Sequence, residues 1–300
     1  MTASYYKDLE QSDHRVVVTQ FPDGFTLYSW NQAPRSVFRV FGGVLSPLYR
    51  TEANLRLAQK WTALVKYVVW PYLCWAKDEA RCLRFLATLR CLTRDFGGIE
   101  NFKVSVRDGK VSLSIFAETR SQYKERLRQA LASVVDDSPR LVVALQELSD
   151  LEALKEVKPP GFEVVGASPN PLLVRGVDGV ASLPPDNLSR ALGKCQAYAV
   201  GGGRTLYNVH VPYGLANGPA AKRFRCLGGA SPPRSSDDFY REVYGLMRGA
   251  SGEVVVAGDF NSLRAPPPSA GVRSFSVRTP EEDYKTVVVN PTFDAVLLLE

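Results

Sequence analysis

Most of the hydrophobic pattern in this chain is that of strands. Short runs of β-branched and aromatic residues without charge recur between turn residues. Arg15–Phe21 and Phe25–Trp30 flank Pro22-Asp23-Gly24, a proline-glycine turn sequence that predicts a hairpin. Lys103–Val106 and Lys110–Phe116 around Asp108-Gly109 predict a second, and Gln196–Val200 with Thr205–Val211 around Gly201–Gly203 a third. Further strands are expected at Leu141–Gln146, Phe162–Gly166, Leu172–Arg175, Val254–Ala257 and Phe293–Leu298, the fourth ending abruptly at Gly258. Helical spacing is confined to fewer places. Thr51 is placed to cap a helix to about Trp70, Pro71 should break it, and a second helix runs from Tyr72 to about Thr93. Gln122–Val135 reads as amphipathic, and Asp237 or Asp238 caps a helix ending near Arg248. Residues 214–236 and 264–270, rich in Gly, Pro and Ser, read as loops, and the stretch through Gln11 as polar loop.

Composition changes this picture little. Three hundred residues allow one large domain or two small ones. The formal charge of +6 suits an anionic partner, nucleic acid or a lipid headgroup, although proteins with neither often carry such a balance. The five cysteines form no CxxC pair and lie apart from the histidines, so reduced thiols and an intracellular setting, cytoplasmic or nuclear, are expected. The first residues are too polar for a secretory signal, and the apolar tract 64–76 is too short to span a bilayer.

Chemistry gathers at strand ends. Asp259 and Asn261 follow the strand Val254–Ala257, and alternation lets them face the same way. A carboxylate that takes a proton from water beside an amide that orients it is hydrolytic geometry, although Gly-Asp and Asn-Ser are also turn dipeptides. Gln146-Glu147 closes another apolar run, Trp30-Asn31 a third, and His210-Val211-Pro212 a fourth.

Together these resemble the endonuclease/exonuclease/phosphatase (DNase I-like) superfamily, whose WN, QE, HxP and GDxN motifs stand here in the family's order over residues 12–34 and 121–300. The resemblance implies an α+β fold, a four-layer α-β-β-α sandwich of two mixed sheets over residues 1–300. Residues 46–100 would be a helical insertion within it. It implies that Glu147, with Asn31 beside it, ligates Mg2+ or Mn2+. Asp259 would activate water and Asn261 orient it, and His210 would stabilise the transition state.

The family's last motif, Ser-Asp-His, is missing from its usual place after the strand Phe293–Leu298. It stands at the front instead, as Ser12-Asp13-His14 before the strand Val16-Val17-Val18, with Val16 where the family has proline. A circularly permuted member is therefore expected, with His14 held by Asp294 and Asp13 supporting a metal or positioning water. The structure of such a member should pair residues 15–20 with 25–30 antiparallel and bring His14 to Asp294. The alternative is a chance Asp-His in a leader.

The reaction implied is Mg2+-dependent phosphodiester hydrolysis in nucleic acid. The rivals are a phosphoinositide or sphingolipid phosphoesterase on the same scaffold, and a binding module without catalysis. Lys77, Arg81 and Arg84 fall on one helix face near Trp61, Trp70, Trp75 and Tyr72. That face is either a phosphate-tracking stripe with stacking rings or a solvated surface over an aromatic core.

Overall fold

The structure is a computed structural model that describes residues 2–9, 14–32, 38–41, 44–47, 52–76, 78–89, 102–107, 110–115, 120–148, 150–211, 235–262, 264–278 and 293–299. Asp13, Lys77, Pro212 and nearly all of the expected loop 214–236 lie outside the described residues. The chain divides into two compact units, one of residues 1–33, 127–281 and 290–300, the other of residues 34–126 and 282–289.

The chain begins with β1 (Ala3–Lys7), β2 (Val16–Gln20) and β3 (Phe25–Asn31), each antiparallel to the next. Residues 3–7, expected as loop, form an edge strand because Tyr5 and Tyr6 suit a pleated, half-exposed surface. The β2–β3 hairpin turns at Gly24, whose φ of 78° favours glycine.

The second unit follows: β4 (Phe38–Phe41), β5 (Val44–Pro47), α1 (Glu52–Leu64), α2 (Trp70–Ala76), α3 (Glu79–Thr88), β6 (Phe102–Arg107) and β7 (Lys110–Ile115). Its strands form one antiparallel sheet in the order β5-β4-β7-β6. The expected break at Pro71 is not there. A π-turn over Val65–Val69 joins α1 to α2, and the Trp70 N–H bonds back to Val65 O. Widening the helix before the proline relieves the ring's clash with the preceding turn, so the helix passes through it. Asp78 is extended instead, and its carboxylate accepts from the Arg81 N–H and caps α3.

The helix α4 (Arg120–Val134) leads back to β8 (Arg140–Gln146). Then come α5 (Leu151–Val157), β9 (Glu163–Val165), β10 (Leu172–Arg175), β11 (Ala181–Ser182), α6 (Asn187–Leu192), β12 (Lys194–Ala199), β13 (Arg204–His210), α7 (Ser236–Gly249), β14 (Glu253–Ser262), β15 (Val272–Arg278) and β16 (Phe293–Leu299). The cap of α7 is Ser235, because its hydroxyl reaches the Asp238 N–H; neither aspartate takes that place.

The first unit is α+β: two mixed six-stranded sheets, β1-β2-β3-β8-β10-β9 and β11-β12-β13-β14-β16-β15. Each has one parallel pair at its centre, β3 with β8 and β13 with β14. Val17, Leu27, Val142 and Leu172 of the first sheet pack against Leu206, Val255, Ala257 and Val296 of the second, so the sheets lie face to face. Strand alternation turns Val254, Val256 and Leu297 outward, where Phe239, Tyr240, Val243 and Met247 of α7 cover them. On the first sheet Tyr28 alternates with Leu27 and bonds through its hydroxyl to Asp136 just beyond α4. Among the described residues no helix is long and apolar enough to cross a membrane.

Candidate active site

Parallel pairing at the centre of each sheet brings motif-bearing strand ends together. In β3 and β8 Asn31 pairs with Gln146, so Glu147 is the next residue along. In β13 and β14 His210 pairs with Asp259, and β16 sets Asp294 opposite Asp259 from the other side. The β2–β3 hairpin carries His14, just before β2, to the end of the first sheet where Asn31 stands.

Asp259 is the centre of this cluster and is 1% exposed. Its Oδ2 accepts from Asn31 Nδ2 at 2.9 Å and its Oδ1 from the Asn261 N–H at 2.7 Å. Two imidazoles face it, with His14 Nε2 at 3.9 Å and His210 Nε2 at 3.8 Å from Oδ2. These distances are too long for direct hydrogen bonds. Behind each imidazole stands a carboxylate: Asp294 Oδ2 at 3.2 Å from His14 Nδ1, and Glu147 Oε1 at 3.3 Å from His210 Nδ1. Asp294 hydrogen-bonds His14 Nδ1, and because a carboxylate only accepts, it favours the tautomer protonated there and leaves Nε2 as the atom presented to Asp259; Glu147 stands at ion-pair distance from His210.

Burial raises the proton affinity of Asp259 above that of an ordinary carboxylate, and the Asp294 carboxylate adds to it, while His14 and His210 pull it down. His14, Asp259 and Asp294 each offer a ligand atom within 4.8 Å of the others, and this group could hold a metal ion.

Two backbone features hold the geometry. Among the described non-glycine residues, φ is positive at Glu147 (56°) and Asn261 (46°), both members of the cluster. Left-handed conformations of this kind cost about 1–3 kcal/mol and persist where the surroundings fix them. Gln32 supplies part of that: its Nε2 donates to Glu147 O at 2.6 Å and its backbone N–H to Gln146 O at 3.2 Å. Asn261 is held by its Nδ2 donating to Val211 O at 3.0 Å. Strand β14 does not end at Gly258 as expected. It runs to Ser262 and shifts register against β16 between Asp259 and Ser262. The shift turns Asn261 out of simple alternation, so it reaches Asp259 through the backbone.

Sequence reasoning missed the support behind the site. Gln146 Nε2 donates to Asn208 Oδ1 at 2.7 Å and Ser29 Oγ at 3.2 Å; Asn208 Nδ2 donates to Leu145 O at 2.9 Å and Asn170 O at 3.0 Å. This buried polar network ties the two sheets together one residue from Glu147 and two from His210. The available signal was Asn208 itself, an amide inside the apolar run Leu206–Val211, where polar residues occur only with partners.

The structure thus brings together His14, Asn31, Glu147, His210, Asp259, Asn261 and Asp294. Asp13 is outside the described residues, and Arg81 and Arg84 are exposed on α3 of the second unit.

No protein-family model matches the chain, and no curated protein matches it. Among solved structures, truncated Caenorhabditis elegans TDP2 is similar, with 16% identity, a TM-score of 0.34, and coverage of 59% of this chain and 76% of that one.

Proposed function

We propose that this chain is a divalent-metal-dependent phosphodiesterase that hydrolyses phosphodiester bonds in nucleic acid by attack of water. One observation carries the reading: two carboxylate–imidazole pairs, Asp294–His14 and Glu147–His210, present Nε2 atoms to the same buried oxygen of Asp259. At 3.8–3.9 Å these atoms do not hydrogen-bond each other, but an oxygen of substrate or water seated beside the gap reaches an Nε2 and Oδ2 together at about 2.8 Å each.

Asp259 Oδ2 takes the proton of the attacking water, helped by the raised basicity that burial confers. Asn261, its amide fixed on Val211 O, orients that water. His14 and His210 face through Nε2 the oxygens on which charge builds, and the Asp294 carboxylate, hydrogen-bonded to His14 Nδ1, stabilises the imidazolium form of His14. The carboxylate of Glu147 and the amide oxygen of Asn31 are hard donors on adjacent strand ends and suit Mg2+ or Mn2+. Such an ion, when bound, supplies polarisation of a phosphoryl oxygen and stabilisation of the leaving oxygen. The basic balance of the chain favours nucleic acid over a neutral substrate.

The test is hydrolysis by the full chain of bis(p-nitrophenyl) phosphate, single-stranded and duplex DNA, RNA and a phosphoinositide, with Mg2+ or with EDTA. Cleavage of nucleic acid that EDTA abolishes is expected. Turnover of the phosphoinositide alone would assign the scaffold to lipid, and inertness toward every substrate would leave a binding module.

The family resemblance is further proposed to be a permuted one. The His14–Asp294 pair and the β2–β3 hairpin support it, as does the meeting of distant segments at Arg273, whose Nη1 donates to Thr2 O while its backbone pairs with Leu298. A chain reordered to open within Pro22–Gly24, with residue 299 joined to residue 2 by a short Gly/Ser linker, is expected to fold and retain activity. Circular dichroism and turnover of the small diester check this; an unfolded product would count against a permuted origin.

A further inference from the structure

The helical run of the second unit has two faces of different chemistry. Ala58, Trp61, Val65, Val69, Leu73 and Ala76 recur every three or four residues and are buried in that unit's core. The opposite stripe carries Arg56, Lys60, Tyr67, Pro71 and Trp75, all exposed, with Tyr67 at 70% and Trp75 at 71%. Rings standing that far into solvent leave most of their faces open above the core.

Cations accompany these rings. Lys66 Nζ lies 5.2 Å from the Tyr67 ring centre. Trp75 leans on Tyr72 at 5.7 Å, and Tyr72 stacks on Phe85 at 3.9 Å. Phe85 belongs to α3, which exposes Arg81 and Arg84. Along α1 to α3 the described exposed charges are Arg56, Lys60, Lys66, Arg81 and Arg84 against Asp78.

We propose that this face binds single-stranded nucleic acid, with Tyr67 and Trp75 stacking on bases while the surrounding lysines and arginines touch phosphates. The proposal rests on the nucleic-acid reading above and extends it to a second surface, in a unit that holds none of the catalytic cluster. Charge complementarity selects a polyanion. Exposed rings flanked on both sides by cations select a strand with unpaired bases, because every base offers a flat face and a phosphate follows it. A membrane fits less well. An interfacial helix lays a continuous apolar stripe into the lipid, and here that stripe faces the protein's own core. Val68 is the one aliphatic among the described exposed large hydrophobics of this run.

The test is binding of a fluorescein-labelled oligothymidylate 15-mer to the full chain in EDTA, read by anisotropy across salt concentrations. Binding is expected to fall as salt rises and to quench tryptophan fluorescence through Trp75. The double variant Tyr67→Ala/Trp75→Ala is expected to bind at least about 10-fold more weakly, since one stacked base is worth roughly 5- to 150-fold. Tyr67→Phe/Trp75→Phe should retain most of the affinity, and melting curves of the variants should match that of the parent. Arg81→Ala/Arg84→Ala should flatten the slope of log affinity on log salt by roughly 0.7 for each phosphate that is no longer neutralised. Three results would overturn the proposal: no binding by the parent chain, unchanged affinity in the folded alanine variant, or impaired binding to phosphatidylserine vesicles with oligonucleotide binding intact. Hydrolysis of bis(p-nitrophenyl) phosphate, which needs only the catalytic cluster, separates these failures from failure of the phosphodiesterase reading.

Discussion

Asp259→Asn is expected to lower turnover of any accepted phosphodiester by about 10²- to 10⁴-fold, the usual contribution of a positioned proton acceptor. The fold should survive. Asp259 accepts two hydrogen bonds, from Asn31 Nδ2 and the Asn261 N–H, and an amide oxygen can keep one of them. Losing the other costs about 1–3 kcal/mol. Removing a buried charge that already binds protons too readily works in the opposite direction. The two effects offset, so the melting temperature should stay within a few degrees of the parent. Steady-state kinetics beside a thermal melt makes the comparison. A folded Asp259→Asn chain with parental turnover would sink the proposed role.

Gly258→Ala should act on the fold instead. A Cβ at this position would lie 1.9 Å from the carbonyl oxygen of Val209, and φ is +151°, where side chains are rarely tolerated. Strain of about 1–3 kcal/mol from the backbone and about 1–3 kcal/mol from overpacking is a large part of a typical stability of about 5–15 kcal/mol. Neither strand can retreat, because β13 and β14 are both interior and are paired on their other sides. Loss of cooperative unfolding, or a midpoint in urea far below the parent, is the expected result. A change within about 1 kcal/mol would mean that β13 and β14 do not approach each other at residues 209 and 258 in this register.

Strand ends were legible because alternation and turn chemistry are local. Phe25–Asn31 and Leu172–Arg175 are seen from the pattern of apolar residues alone, and the Pro22-Asp23-Gly24 hairpin from its turn residues. The convergence of Asn31, Glu147, His210 and Asp259 was legible only through the order of short motifs, since nothing local specifies which strands pair in parallel. The π-turn before Pro71 was not legible, because proline ordinarily stops a helix and the widening that accommodates it leaves no compositional mark. Ser235 outranked the aspartates as cap because of where the chain turns. The Gln146–Asn208–Asn170 network stayed hidden for a different reason. It joins residues of both sheets, and only packing tells which buried amides meet.

The His14–Asp294 pair spans 280 positions of sequence, and β16, which supplies Asp294, is an interior strand of its sheet. At about 5–20 residues per second of synthesis, roughly 15 to 60 s pass between the appearance of the histidine and of its carboxylate. Through that interval the hairpin bearing His14 awaits the Asp294 carboxylate, and β14, made late in it and able to pair with β13, waits for β16 on its other side. On the proposed mechanism the nascent polypeptide is therefore inert toward phosphodiesters until the strand at 293–299 has emerged and docked.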